Sequence, residues 1–112
     1  MNTKISGTHG EVYALQYLLS INYKFLERNY RCNFGEIDLI MADKNCIVFV
    51  EVKYRKTKKF GEPAQAVTKE KQHTIKKVAR HYLKSKEIED IDCRFDVVQI
   101  VDEELTHYKN AF

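Results

Sequence analysis

Two stretches of this chain carry carboxylates where a β-strand would ordinarily carry apolar side chains: Gly35-Glu36-Ile37-Asp38-Leu39-Ile40 and Val48-Phe49-Val50-Glu51-Val52-Lys53-Tyr54-Arg55. If residues 46–54 form a strand, alternation puts Ile47, Phe49, Glu51 and Lys53 on one face and Val48, Val50, Val52 and Tyr54 on the other. On the preceding strand Glu36 and Asp38 share a face, opposite Ile37, Leu39 and Met41. A hairpin about residues 43–45 makes Asp38 and Glu51 near neighbours. A one-residue offset flips the face, so a bulge or a slightly longer turn decides whether they meet. Two carboxylates held together in a half-buried site repel one another and resist desolvation, so such a pair needs a cation. Oxygen donors without His or Cys favour Mg²⁺ or Mn²⁺ over zinc. Lys53, on the same face, could orient a water, lower its pKa or steady charge developing on a phosphate. The competing reading is a simple Glu51–Lys53 ion pair on a solvated strand face, the usual fate of an E-x-K tripeptide.

Helical spacing offers further polar groups. Glu11 lies between Ala14, Leu15 and Leu18 at about 100° per residue, on the apolar face of a helix. It could point toward the sheet and join a metal site, or it could serve as the fourth member of a Thr8–Glu11 capping box. Lys71 lies on a stripe with Val67, Ile75 and Val78, placed to reach the site or a phosphate or to snorkel to solvent. Thr68 and Gln72 are weaker polar candidates beside it.

The elements that must position these groups follow from the pattern. Residues 8–21 read as a helix, 23–31 as an aromatic extended segment, and Asn33-Phe34-Gly35 as a turn. Residues 36–42 and 46–54 read as strands joined by a hairpin at 43–45. The second is apolar on nearly every position, as a strand covered on both faces should be. Lys56–Glu62 reads as a basic surface loop, and Pro63 as the opening of a long amphipathic helix reaching about Lys86. Residues 93–101 form a fourth strand, and Leu105–Phe112 could add a short edge strand. The order αβββαβ predicts an α/β fold, a mixed central sheet flanked by helices, with the long helix as crossover between parallel strands.

Composition narrows the function classes. The 112 residues, 44% hydrophobic and 31% charged, read as a single globular unit over 1–112 that can bury roughly two-thirds of its unfolded surface. With one Pro and four Gly, collagen-like and low-complexity readings fail. No apolar run is long enough for a membrane-spanning helix, and Met-Asn-Thr-Lys-Ile-Ser lacks a signal-peptide core, so a cytoplasmic protein is expected. Cys32, Cys46 and Cys93 stand too far from one another and from the four histidines for a zinc motif. They are expected to pack as small apolar residues near strand ends. The net charge of +3 hides an asymmetry: between Lys53 and Lys86 twelve Lys and Arg face only Glu62 and Glu70. A domain with one strongly basic third attracts polyanions.

Taken in order, Gly35–Ile40 and Val48–Arg55 resemble the YraN-like family of small bacterial proteins, which is predicted to be nuclease-like and distantly similar to archaeal Holliday-junction resolvases. Gly10-Glu11, Arg28-Asn29-Tyr30-Arg31, Phe60-Gly61, Lys71, Tyr82-Leu83, Arg94-Phe95-Asp96-Val97-Val98 and Asn110-Ala111-Phe112 agree, so the resemblance covers nearly the whole chain. It implies a restriction-endonuclease-like core of the PD-(D/E)xK superfamily, with Ile37 standing where the motif name has Pro. It further implies that Asp38, Glu51 and the Val52 carbonyl hold Mg²⁺ or Mn²⁺, that Lys53 assists the water, and that Glu11 is the helix glutamate of resolvase-like members.

The implied reaction is metal-dependent phosphodiester hydrolysis in DNA, with branched or structured DNA among the candidate substrates, by an endonuclease that could act as a homodimer. Arg55, Lys56, Lys58, Lys59, Lys71 and Lys76 would hold flanking phosphates. Tyr30, Tyr54 and Phe60 are candidates for stacking on bases. The alternatives are a non-catalytic nucleic-acid-binding protein on the same fold and an interaction protein that docks an acidic partner.

Overall fold

Strand residues 46–54, apolar on both faces, must be sandwiched, and the fold does this with one helix on each side. In the computed structural model, which describes residues 7–55 and 67–112 with the side chains of 7–9 and 55 left out, the elements are these. Helix α1 is Gly7–Ser20, followed by β1 (Lys24–Cys32), β2 (Gly35–Asp43) and β3 (Cys46–Arg55). Helix α2 is Lys69–Ser85, followed by β4 (Asp92–Val101) and β5 (Glu104–Tyr108). The sheet runs β1-β2-β3-β4-β5. Every neighbouring pair is antiparallel except β3–β4, which is parallel over ten residue pairs. Parallel neighbours need a crossover, and α2 lies within it. This is the αβββαβ order expected from the sequence, with β5 as the added edge strand, and it is compatible with a restriction-endonuclease-like core.

Each face of the sheet has its own core. Ile47, Phe49, Ile40 and Val97 pack against Ile75, Val78, Ala79 and Tyr82 of α2. Val48, Val50, Leu39, Met41, Val98 and Ile100 pack against Ala14 and Leu18 of α1. Each such side chain contributes about 1.5–3 kcal/mol relative to exposure, so the central strands are the best-anchored part of the molecule. Helix α2 starts at Lys69, where the Thr68 hydroxyl accepts from the Lys71 N–H at 3.0 Å and caps it. The proposed helix opening at Pro63 and the Lys56–Glu62 loop lie outside the described residues, apart from the capped start. At the other end Glu87 takes φ 56° and Ile88 N–H returns to the Leu83 carbonyl, which stops the helix.

Two details of register place the site. The β2–β3 turn is only Lys44–Asn45, with Lys44 at φ 57°, so Asp43 pairs with Cys46 and Leu39 with Val50. One further step would set Asp38 opposite Glu51, on the same face, but the ladder ends at Leu39. On the other side of β2, Asn29 of β1 adopts φ 54° between Arg28 (opposite Leu39) and Tyr30 (opposite Ile37). This left-handed residue switches the faces: Arg28 turns toward α1 and Tyr30 packs on Tyr82 of α2. Ile37 consequently joins the α2 core while Leu39 and Met41 stay with α1, which corrects the expectation that all three share one face. Cys32 and Cys46 are half-buried near strand ends as expected, but Cys93 is exposed, because β4 begins in a solvated stretch ahead of its buried half.

Candidate functional site

Asp38 sits where β2 leaves the ladder. Its Oδ2 accepts from the Val52 N–H at 2.8 Å, so the carboxylate bridges to β3 in place of the missing backbone pair. Burial, and then the charge of Glu51, push the Asp38 carboxyl up to about 7, while the Val52 hydrogen bond pulls it back and Glu11 and Glu36 add smaller repulsions. Glu51 projects from the α2 face of β3 and is 6% exposed. Its Oε2 lies 3.1 Å from Lys71 Nζ and 3.9 Å from Lys53 Nζ. Burial lowers the Lys71 ammonium, but the charge and hydrogen bond of Glu51 more than offset this and hold it above its ordinary value. The centre is therefore two repelling carboxylates with two lysines around the more buried one.

The donor set decides which cation fits. Among the described residues no three His, Cys, Asp or Glu converge on one point. A zinc-type cage needs such a convergence, whereas Mg²⁺ binds through one or two carboxylates while keeping waters and substrate oxygens. Asp38 and Glu51 fit that role, since a dication between them would relieve the repulsion that Asp38 registers.

Glu11 is buried at the start of α1, whose Gly10 lies against Val52 and Tyr54 on the opposite sheet face from Glu51. Its Oε1 is 3.8 Å from Arg28 Nε, too long for a hydrogen bond, and both atoms lack a partner. Glu11 thus acts on Asp38 through charge while its own carboxylate is oriented by Arg28. Gln99, not singled out by the sequence, is 4% exposed and stands opposite Lys53 on the parallel strand β4, with its Oε1 unpartnered. Its signal was a lone amide in the apolar run Val97–Val101.

The basic candidates divide. Lys71 is engaged with Glu51, and the Lys76 ammonium lies over the Phe95 and Phe112 rings at 5.7 and 6.0 Å. Arg55 ends β3 opposite Val101, its side chain undescribed, and Lys56, Lys58, Lys59 and Phe60 lie outside the described residues. Thr68 is spent on the cap, and Gln72 Nε2 donates to the Val67 carbonyl at 2.9 Å. Tyr30 is no free stacking platform: its hydroxyl bonds His81 Nδ1 at 2.7 Å and its ring packs edge-on against Tyr82. Tyr54 is half-buried in the α1-side core.

A second charged cluster, also unforeseen, lies on the α1 face. Asp96 is fully buried and takes Arg94 Nε at 2.9 Å, Arg94 Nη2 at 3.0 Å, His107 Nε2 at 2.7 Å and the Asn110 N–H at 2.9 Å. Arg94 also reaches Asp43 at 3.2 Å and the Tyr23 hydroxyl, and Tyr17 bonds the far nitrogen of His107. These contacts tie β4 to β5 and to the chain beyond β5.

The model of an uncharacterised protein family, UPF0102, matches residues 10–100, a span that includes Glu11, Asp38, Glu51, Lys53 and Gln99. A UPF0102 protein of Lachnoclostridium phytofermentans is 44% identical over 113 aligned positions, covering 100% of this chain and 96% of that relative. One from Thermodesulfovibrio yellowstonii is 45% identical, covering 95% and 94%. One from Syntrophus aciditrophicus is 47% identical, covering 85% and 75%.

Proposed function

The chain belongs to the uncharacterised protein family UPF0102, and from its carboxylate geometry we propose that it is a Mg²⁺-dependent nuclease of the PD-(D/E)xK, YraN-like kind. The observation that carries the reading is the placement of Asp38, held by the Val52 N–H at 2.8 Å, beside the buried Glu51: carboxylates brought together in a partly buried site repel one another, and a cation relieves that repulsion. Asp38, Glu51 and the Val52 carbonyl would hold the ion. When bound, it would supply charge neutralisation at a phosphodiester and acidify water.

The remaining roles belong to the chain. Lys53, its ammonium 3.9 Å from Glu51, is free to orient the attacking water and to donate to a non-bridging phosphate oxygen. The Val52 N–H fixes Asp38 in place. Lys71, 3.1 Å from Glu51 Oε2, would offset the charge of that carboxylate and aim it. Water oxygen would bond to phosphorus as the bond to the leaving sugar oxygen breaks; the attacking water gives up a proton to solvent and the leaving oxygen takes one from solvent. DNA is the proposed substrate, with flanking phosphates met by the basic third of the sequence.

One observation favours a second reading. The 3.1 Å contact of Lys71 already neutralises Glu51 without metal, as a non-catalytic nucleic-acid-binding protein would require. Cleavage assays separate the two. Labelled single-stranded, duplex and four-way-junction DNA are incubated with Mg²⁺ or Mn²⁺ at low salt, with Asp38→Ala, Glu51→Ala and Lys53→Ala beside the wild type. The nuclease reading expects metal-dependent cutting that all three variants lose. Binding without cutting, tightened by removal of either carboxylate, establishes the binding protein instead.

A further inference from the structure

Phe34 is an odd residue for the tip of a two-residue hairpin. The β1–β2 turn is Asn33–Phe34, a place for small polar residues, yet Phe34 holds a ring there that is 52% exposed. Gly35 keeps the turn against α2: its φ is 150°, and a Cβ added there would meet Thr74 Cγ2 at 3.1 Å. The ring is thus fixed beside the solvent face of α2, where Lys77, Arg80, His81 and Lys84 recur at spacings of three and four. Together these five residues line an open groove of about 400 Å³. Lys77 Nζ stands 5.6 Å from the Phe34 centroid, and the His81 ring meets Phe34 edge-on at 6.4 Å. Glu36, two residues away, is bound to Arg31 at 2.9 Å, which offsets its charge beside the groove.

We propose that this groove binds a single-stranded segment of nucleic acid, with one unpaired base stacked on Phe34 and its phosphates on Lys77, Arg80 and Lys84. An aromatic face among cations is the way proteins hold unpaired bases without reading sequence. A duplex keeps its bases stacked inside, so it would use the cations and ignore the ring. The groove volume suits about one nucleotide. Arg80 is nine residues beyond Lys71 on α2, about 13 Å along the axis, a distance a bound strand covers in a few nucleotides. The inference rests on the nucleic-acid reading of the Asp38–Glu51 site but not on cleavage there. It narrows the nucleic-acid partner to one with an unpaired stretch beside the Asp38–Glu51 site.

The test is fluorescence anisotropy of the intact protein in EDTA on labelled oligothymidylate and on a duplex of equal length, beside co-sedimentation with phosphatidylserine vesicles. The single strand should bind more tightly than the duplex. Phe34→Ala should weaken single-strand binding about tenfold and leave duplex binding and Tm unchanged, while Phe34→Tyr retains it. Lys77→Glu with Arg80→Glu should weaken both and flatten the single-strand salt slope by about 1.4. Single-strand affinity indifferent to Phe34→Ala, or Phe34-dependent binding of vesicles in place of DNA, overturns the proposal. Phe34-dependent strand binding with no cleavage under any metal keeps the groove and removes the nuclease. Cleavage with unchanged Phe34→Ala affinity does the reverse.

Discussion

Lys71 Nζ lies 3.1 Å from Glu51 Oε2, nearer than Lys53 Nζ at 3.9 Å. The lysine that neutralises the E-x-K glutamate comes from the helix across the core and not from the tripeptide itself. Strand alternation puts Glu51 and Lys53 side by side, but a side-by-side pair on a strand diverges toward solvent. Helix α2, packed over the same face, lowers Lys71 onto the carboxylate from above.

That division of labour predicts unequal losses. Without metal, Lys71→Met strands a carboxylate whose side chain is 7% exposed, and is expected to cost about 1–2 kcal/mol, discounted because Lys71 itself is half exposed. Lys53→Met should cost less. Added Mg²⁺ should restore most of the Lys71→Met loss, since a dication replaces the missing charge. Tm measured with and without Mg²⁺ checks this, and equal losses in the two variants would contradict it.

Asp38 sets the pH dependence near neutrality. Its carboxyl, raised by burial and by Glu51 from an ordinary 3.8 to about 7, keeps a proton in the folded state that the unfolded chain gives up. The folded state binds more protons between about pH 4 and 7, so stability falls as pH rises through that window. Asp38→Asn keeps an oxygen for the Val52 N–H and carries no charge. It should remove that slope and stabilise the metal-free protein at pH 8 by up to about 4 kcal/mol. Urea unfolding of both proteins from pH 4 to 8 reads the difference, and a less stable variant at pH 8 would refute it.

Asp96 works with the opposite sign. Burial would raise it, but the hydrogen bonds of His107, Arg94 and the Asn110 N–H outweigh that and hold it below its ordinary value. Its contribution is present above the unfolded carboxyl's pKa and is lost as pH falls through the folded one. Asp96→Asn leaves Arg94 and His107 facing an uncharged partner and is expected to cost about 3–5 kcal/mol at pH 7. The gap from wild type should narrow at pH 3. Unfolding curves at the two pH values measure it.

Much of this molecule is legible in its sequence. Both-face burial of residues 46–54 and the stripe Ile75, Val78, Ala79, Tyr82 come directly from the periodicity of apolar side chains, which local chain geometry dictates. The candidate carboxylates stood out for the same reason, as polar groups in runs otherwise built for burial. The Thr68 cap at the start of α2 was less legible, because a hydroxyl caps a helix only where the chain turns in to meet it, which apolar spacing does not decide. The second cluster escaped because Asp96 and His107 are unremarkable until β4 and β5 pair.

By itself, then, the sequence determined which segments are strands and helices, which faces are apolar, and which residue types are available for chemistry, since these depend on neighbours within a few positions. Only the tertiary structure decided that Asp38 meets β3, that Lys71 pairs with Glu51, and that Phe34 stands among cations. Those facts hang on a two-residue turn at Lys44–Asn45, on the left-handed Asn29 and on the close seat of Gly35 against Thr74. Each is a shift of a single residue or a few ångströms, which leaves hydrophobic periodicity unchanged and moves the charged atoms into or out of contact.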